Sequence, residues 1–509
     1  MNKKEKKMNF NIRRFKYGTL STLITIIFIC AVVLFNIIVG MLVERYPVKL
    51  DLTKNKIYEV SDKTIDYLKK LEKQVEITVL LPEKQLNSSV YTKQVLETMK
   101  KYKQYTDKIK LEFVDMDKNP EKIGKVQELY KGEITENNIV VTCGERIKVL
   151  DVNDIYVKEN DGYSTTITGS RTEQILTSAV MNVTDANPKK VGLVKKESAS
   201  SVEISKEFFK EALDLNGYEV KDVDMLTESI EEYDLVVAIA PLNDFTQTEI
   251  NKFSDFLYNN GQLGKNMIYV GDYTQKETTN IDVFLKEWGV SLPKEYIHPT
   301  DENSTQSVGV YGLSNYFPSP LLNFADEDSK KLVSDASLPL VAPLSRPIDV
   351  LFAFNNDRST KVILSTPDST VAIDKNVTKD TDINTLEKKS FNVFVNCEKF
   401  FFDNKNDSSR KTSNLTVLGS AYTIDTNILN DTAYNNSEFI INYVNKLTGK
   451  ESNISIVPKN LESVTITMTD QQIAMVRNII VVIIPCLIIF IGIIVFVRRR
   501  NRWAVWWKL

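Results

Sequence analysis

Histidine is nearly absent: His298 is the single one among 509 residues, and it stands beside Pro299 in a polar stretch. Ser-His-Asp triads, Cys-His pairs and His-based metal sites would all have to share it, and its surroundings read as a loop. Cysteine is scarce too. Of the four present, Cys30 and Cys486 lie in apolar runs, and the spacing of Cys143 and Cys397 fits no metal or redox motif. A disulfide framework is therefore excluded. Pairing of Cys143 with Cys397 stays open, and two isolated buried thiols are the expectation. A nucleophilic elbow of the amidotransferase type needs a Cys between strand and helix, but Met267–Val270 is followed by Gly271-Asp272-Tyr273. Gly261-Gln262-Leu263-Gly264-Lys265 has the wrong spacing for a phosphate loop and no Ser or Thr after the Lys. It also precedes a strand, so it reads as a helix C-cap and turn. No ATPase signature exists. Asp115 and Asp117 are two carboxylates where Ca²⁺ takes roughly six to eight oxygens, so a strand-end turn explains them as well.

Positive charge is not in excess either: 64 basic against 67 acidic residues. The basic residues are unevenly placed. The tails 1–17 and 498–509 hold twelve of them and one acid, which leaves 52 against 66 between the tails. That body is net negative, which argues against nucleic acid as a partner.

Long apolar runs occur twice, at Gly18–Val43 and Asn478–Val497. At 1.5 Å per residue each is long enough to cross roughly 30 Å of hydrocarbon. The first, 26 residues long, exceeds the roughly 7–15 residues of a signal h-region, and no small-x-small cleavage pattern follows it. Both are expected to be uncleaved transmembrane helices. Basic segments flank their outer ends, so by the positive-inside rule both tails are cytoplasmic and the body is extracytoplasmic. Asn36 would bond either to a neighbouring helix or to its own backbone. Trp503, Trp506 and Trp507, interleaved with Arg502 and Lys508, suit the inner headgroup surface of membrane lipid, or a contact with a cytoplasmic ATPase.

The body exceeds what one core supports, so two α/β domains are expected, over 44–187 and 188–466, with a juxtamembrane linker at 467–477. In the first, Ser61 caps a helix carrying Ile65, Leu68 and Leu71 inward. Val75, Ile77, Val79 and Leu81 alternate as a strand stopped by Pro82. A helix over Tyr91–Tyr105, a strand at Ile109–Phe113 and a helix near Pro120–Tyr130 follow. A hairpin, Ile139–Thr142 with Arg146–Leu150, turns at Gly144-Glu145. A helix through Thr172–Val183 closes a thioredoxin-like order of elements. Pro82-Glu83-Lys84-Gln85 stands where redox chemistry needs C-x-x-C, so the domain reads as a scaffold.

In the second domain the expected order is strand Lys189–Val194, helix Lys206–Asn216, strands Tyr218–Val223 and Leu235–Ala240, and a capping-box helix from Thr246 to Leu257. Strand Met267–Val270 and helix Ile281–Trp288 complete the run. Such alternation predicts a parallel sheet covered by helices, in the flavodoxin or Rossmann manner. Val350–Phe354, Val362–Ser365, Phe391–Val395 and Leu415–Gly419 read as further strands, Ser437–Leu447 as a helix, and Ile454–Ile466 as a short β segment.

Several short stretches, in order along nearly the whole chain, resemble the gliding-motility ABC-transporter auxiliary (GldG-like) family. They are Asp51-Leu52-Thr53 … Tyr58 … Ser61-x-x-Thr64, Asp115 … Asp117-Lys118-Asn119-Pro120, and Glu173 … Thr177-Ser178-Ala179-Val180. Asn216-Gly217-Tyr218-Glu219-Val220, Asp244 … Glu249-Ile250, the run from Phe439 to Gly449, Ile454–Lys459 and the final anchor with Pro485 and Gly492 continue the likeness. Lys195-Lys196-Glu197-Ser198-Ala199-Ser200 departs from it, because members commonly carry a Gly-His-Gly-Glu-like turn there. The resemblance implies an accessory cell-membrane subunit accompanying an ABC permease and ATP-binding subunit, its central domain related in fold to flavodoxin- and glutamine-amidotransferase-like domains; from the residues themselves, no cofactor, metal or catalytic residue is expected. The alternative is a stand-alone cell-envelope ligand-binding receptor or sensor. An envelope hydrolase would need a nucleophile–base pair that the sequence does not offer.

Overall fold

The computed structural model describes 57–160, 165–311, 313, 315–374, 383–402, 410–431, 433–450 and 459–461, with isolated helical residues in 23–38 and at 490 and 492. A short unit, Met1–Glu59, is distinct from a large one, Val60–Leu509. In the short unit, Leu23, Ile26, Ile27, Phe28, Val33, Leu34 and Phe35 are helical and exposed. Among the described residues no helix is long and apolar enough to cross a membrane. The expected spans find no support there, and most of both runs lies outside the described residues. Asn36, Pro485 and the three terminal tryptophans also lie outside them.

The large unit begins with an α/β layer. Strands β1 (Val75–Val79), β2 (Ile109–Phe113), β3 (Asn138–Cys143) and β4 (Arg146–Asp151) form a sheet in the order β2-β1-β3-β4. The β1–β2 pair is parallel and the others antiparallel. Period-two burial of Val75, Ile77 and Val79 packs them against Val95, Met99 and Tyr102 of helix Val90–Tyr105 and Leu176 and Val180 of helix Thr172–Thr184. Gly144 turns the hairpin at φ +62°, as its position predicts. Two further strands have no counterpart in the sequence reading. β5 (Tyr156–Asn160) and β6 (Thr165–Ser170) pair beyond β4.

The second sheet has nine strands. Its core consists of β7 (Lys190–Val194), β8 (Glu219–Val223), β9 (Leu235–Ile239), β10 (Asn266–Val270) and Arg410–Leu418, all parallel in the spatial order β8-β7-β9-β10-Arg410–Leu418. Asn392–Phe402 and Arg358–Ser365 extend it antiparallel. Each residue of β9 is buried, because the sheet is covered on both faces. Leu235, Val237 and Ile239 join one core with Phe209 and Phe439, and Val236 and Ala238 join the other with Phe253 and Phe284. The result is a three-layer α/β/α body. Thr246 and Glu249 make the expected capping box.

Three expectations are corrected. The helix after β7 runs Ser200–Leu215, six residues earlier than Lys206 at its start. Ala199 at its N-cap lacks a capping oxygen, and Glu203 instead reaches back to the Ser198 N–H. Val350–Phe354 is not one strand: Asp349–Val350 and Phe354–Asn355 pair with different partners, Val290–Ser291 and Arg358–Ser359. His298 sits in strand Glu295–Pro299, opposite Val371, and not in a loop. Of the β segment expected at Ile454–Ile466, Lys459–Asn460 is a strand and the rest, Leu461 apart, lies outside the described residues.

Candidate functional site

In an open parallel sheet, ligands bind beyond the carboxyl ends of the strands, where the chain's direction of winding reverses. Here that reversal falls between β7 and β9. The two loops leaving those strands are joined to each other, Leu242 N–H donating to Glu197 O at 2.8 Å. Lys196 inserts its ammonium between the buried Glu249 carboxylate, 3.1 Å away, and the Phe245 ring, 5.0 Å from the centroid. Ser198 donates to Ile239 O at 2.9 Å, and the buried Lys206 ammonium donates to Lys196 O. The turn at Lys195–Ser200 therefore fills the crevice with its own side chains.

A buried polar cluster lies one strand further, at the ends of β10 and Arg410–Leu418. Gly271 and Gly419 follow these strands. A Cβ on Gly419 would overlap the Arg346 carbonyl, so only glycine lets the 345–346 strap cross here. Arg346 N–H donates to Gly419 O at 2.8 Å. The Arg346 guanidinium is buried, and burial lowers its pKa. It donates to Pro293 O, Leu292 O and, at 3.1 Å, Gln275 Oε1.

Asp272 is fully buried beside this strap. Its Oδ1 accepts from the Thr274 N–H at 2.9 Å and from the Thr274 hydroxyl, while its Oδ2 has no hydrogen-bond partner. Burial pushes the carboxyl up to about 6, with the Thr274 bonds and the Arg346 charge opposing. Tyr273 meets Tyr422 at a tilt and Tyr296 edge-on, with ring centroids 6.3 and 6.2 Å apart. The Tyr422 hydroxyl lies 3.2 Å from Ser201 Oγ, at the start of helix Ser200–Leu215, and is paired with that of Tyr273. Burial raises the pKa of both phenols, so they keep their protons at neutral pH. Tyr422 is thus no base for Ser201. The cluster presents phenol hydroxyls and one carboxylate oxygen without a hydrogen-bond partner.

The other sequence candidates do not join this cluster. His298 is half-buried, and burial lowers its pKa. Asp115 is ion-paired with Lys118, which lowers its pKa. Among the described residues no group of three or more His, Cys, Asp or Glu is placed to hold a metal ion. Gly264 and Lys265 are turn residues bonded to Thr412 O and Ser413 Oγ. Cys143 is half-buried and Cys397 buried, each free of a disulfide. A recess of about 580 Å³ between Leu321–Glu327 and Ala336–Leu340 is lined by Asp326 and Glu327, of which Asp326 is paired with Lys361 and Ser329. Sequence reading inspected Asp272 only for a missing thiol. Arg346 and Tyr422 carried no local signal at all.

A domain of unknown function (DUF7088) matches residues 54–156. No curated protein matches the chain. Solved structures similar to parts of it include the mmIFT52 N-terminal domain, at 14% identity and TM-score 0.35, covering 52% of this chain and 99% of that one. A putative ThuA-like protein from Parabacteroides merdae is 14% identical at TM-score 0.32, covering 55% and 93%. An exo-β-1,4-mannosidase from an Opitutaceae bacterium is 7% identical at TM-score 0.23, covering 79% and 51%. Scores this low carry no argument about fold or activity.

Proposed function

We propose that the chain is a non-catalytic auxiliary subunit of a bacterial ABC-type transport system. In this reading two transmembrane helices tether an extracytoplasmic body made of a thioredoxin-like domain over 44–187 and a flavodoxin/glutamine-amidotransferase-like domain over 188–466. The strand orders β2-β1-β3-β4 and β8-β7-β9-β10-Arg410–Leu418 support the two domain assignments. The tether is supported by the two uncharged runs and their basic flanks. The link to a permease and an ATP-binding subunit rests on the ordered resemblance along the chain.

The observation that carries the binding role is Asp272: a buried carboxylate oxygen without a partner, ringed by phenols that hold their protons. Leaving such a group unpaired costs stability, and groups kept at that cost mark functional sites. Asp272 accepts from a hydrogen-bond donor of the ligand or partner, and Tyr273 and Tyr422 orient it. Solubilisation in mild detergent and affinity capture of the full chain tests the role. Recovery of an ATPase together with a multi-span permease supports it. Recovery of the chain alone overturns it in favour of a stand-alone envelope receptor.

A further inference from the structure

We infer that Glu173 is a clamp that holds together the incoming and returning segments of the outer body and makes each sensitive to the other. Glu173 lies in the first turn of helix Thr172–Thr184 and is 3% exposed. Its Oε1 accepts from the Ser61 backbone N–H at 2.8 Å and from the Ser61 hydroxyl. Its Oε2 is ion-paired with the Lys459 ammonium at 3.2 Å, without a hydrogen bond. Ser61 begins the first described helix of the body, Asp62–Lys69, and Lys459 lies in the last described strand. The two chain ends of the body therefore meet on one carboxylate.

Both arms are built in. Beyond Ser61, Thr64 meets Thr177 at 3.3 Å and Tyr67 meets Thr184 at 3.0 Å, so helix Asp62–Lys69 lies along helix Thr172–Thr184. On the other side, Lys459–Asn460 pairs antiparallel with Gly169–Ser170 of β6, and Leu461 N–H donates to Thr168 O at 2.8 Å. The clamp helix also grips the second sheet's layer: Ser178 and Asn182 donate to Asp214 O, and Arg171 pairs with Glu211 at 2.8 Å. The same helix leads within a few residues into β7, whose far end carries the Lys195–Ser200 turn.

Coupling follows from the chemistry of a buried charge. Without Lys459 the buried carboxylate loses its countercharge and keeps only the two Ser61 donors, so the cost of burying its charge loosens its place between the two segments. A displacement of one segment is thus felt by the other and by the helix between them. Use of this clamp to relay movement of a tethered segment rests on the membrane topology proposed above. The bonding itself does not, so the two claims fail separately.

Hydrogen exchange of the full chain in detergent, read by mass spectrometry, tests the clamp. Glu173→Ala is expected to speed exchange at least tenfold at both Ser61–Thr64 and Lys459–Leu461. Glu173→Gln keeps an oxygen for Ser61 but no charge for Lys459, so it should open the Lys459 arm and leave Ser61 within threefold of wild type. Lys459→Met should speed Ser61 exchange at least threefold without touching that residue. If Glu173→Ala also deprotects β9, global unfolding has intervened and the Lys459→Met result decides. Ser61 exchange unchanged in Lys459→Met would show two independent contacts and overturn the clamp.

Discussion

Replacing Asp272 by Asn should stabilise the protein at neutral pH and do so only there. Burial raises the carboxyl from its ordinary value of 3.8 to about 6 in the folded chain. Between those two pH values the folded state binds more protons than the unfolded state, so stability falls as pH rises. The loss is complete a little above pH 6. Two units at about 1.4 kcal/mol each set it at roughly 3 kcal/mol, an upper figure because water reaching Oδ2 would reduce it. Asn keeps an oxygen for both Thr274 donors and removes the buried charge. Thermal unfolding of wild type and Asp272→Asn, followed from pH 4 to pH 8, should give coincident curves at pH 4. At pH 7.5 the variant should melt higher by the order of 5 °C. A variant less stable at pH 7.5, or a difference that ignores pH, would refute the account of Asp272.

Lys196→Met should destabilise the second domain by about 3 kcal/mol in urea unfolding, because Glu249 is left buried without its cation. The double variant Lys196→Met/Glu249→Gln should recover a good part of that loss. Gly419→Ala forces a Cβ into the Arg346 carbonyl and should cost about 1–3 kcal/mol or more in the same assay. Burial pushes the Cys397 thiol up to about 12, so a thiol reagent at pH 8 should modify it on the order of a thousandfold more slowly than an ordinary exposed cysteine. Modification of Cys397 in the folded protein at the rate of a free thiol would contradict its place in the sheet.

Elements with strong periodicity were legible in the sequence. Alternation along Val75–Val79, the capping box at Thr246 and Glu249, and Gly144 in its turn each specify local structure by themselves. Polar strands were not legible. β5 and β6 are rich in Thr, Lys and Glu and lack apolar alternation, and they pair with each other and with Lys459–Asn460. The start of helix Ser200–Leu215 was hidden because two serines and a capless Ala199 open it, and Glu203 does the capping work from inside. Val350–Phe354 is interrupted at 351–353, and the Asn356-Asp357 turn, with Asn356 at φ +54°, folds Phe354–Asn355 back onto Arg358–Ser359; an Asn-Asp turn is a signal that could have been read. The site residues were invisible for a different reason. Asp272, Arg346 and Tyr422 come together through tertiary packing across long separations, as do Ser61, Glu173 and Lys459. What the sequence did offer was the negative half: a single histidine, beside Pro299.

The central claim is an outward-facing body held between two membrane anchors. Leu226, 68% exposed in that body, is suited to a reporter cysteine. Intact cells carrying Leu226→Cys should be labelled by a membrane-impermeant maleimide as fully as lysed cells are. Labelling that appears only after lysis would put the body in the cytoplasm and contradict the account.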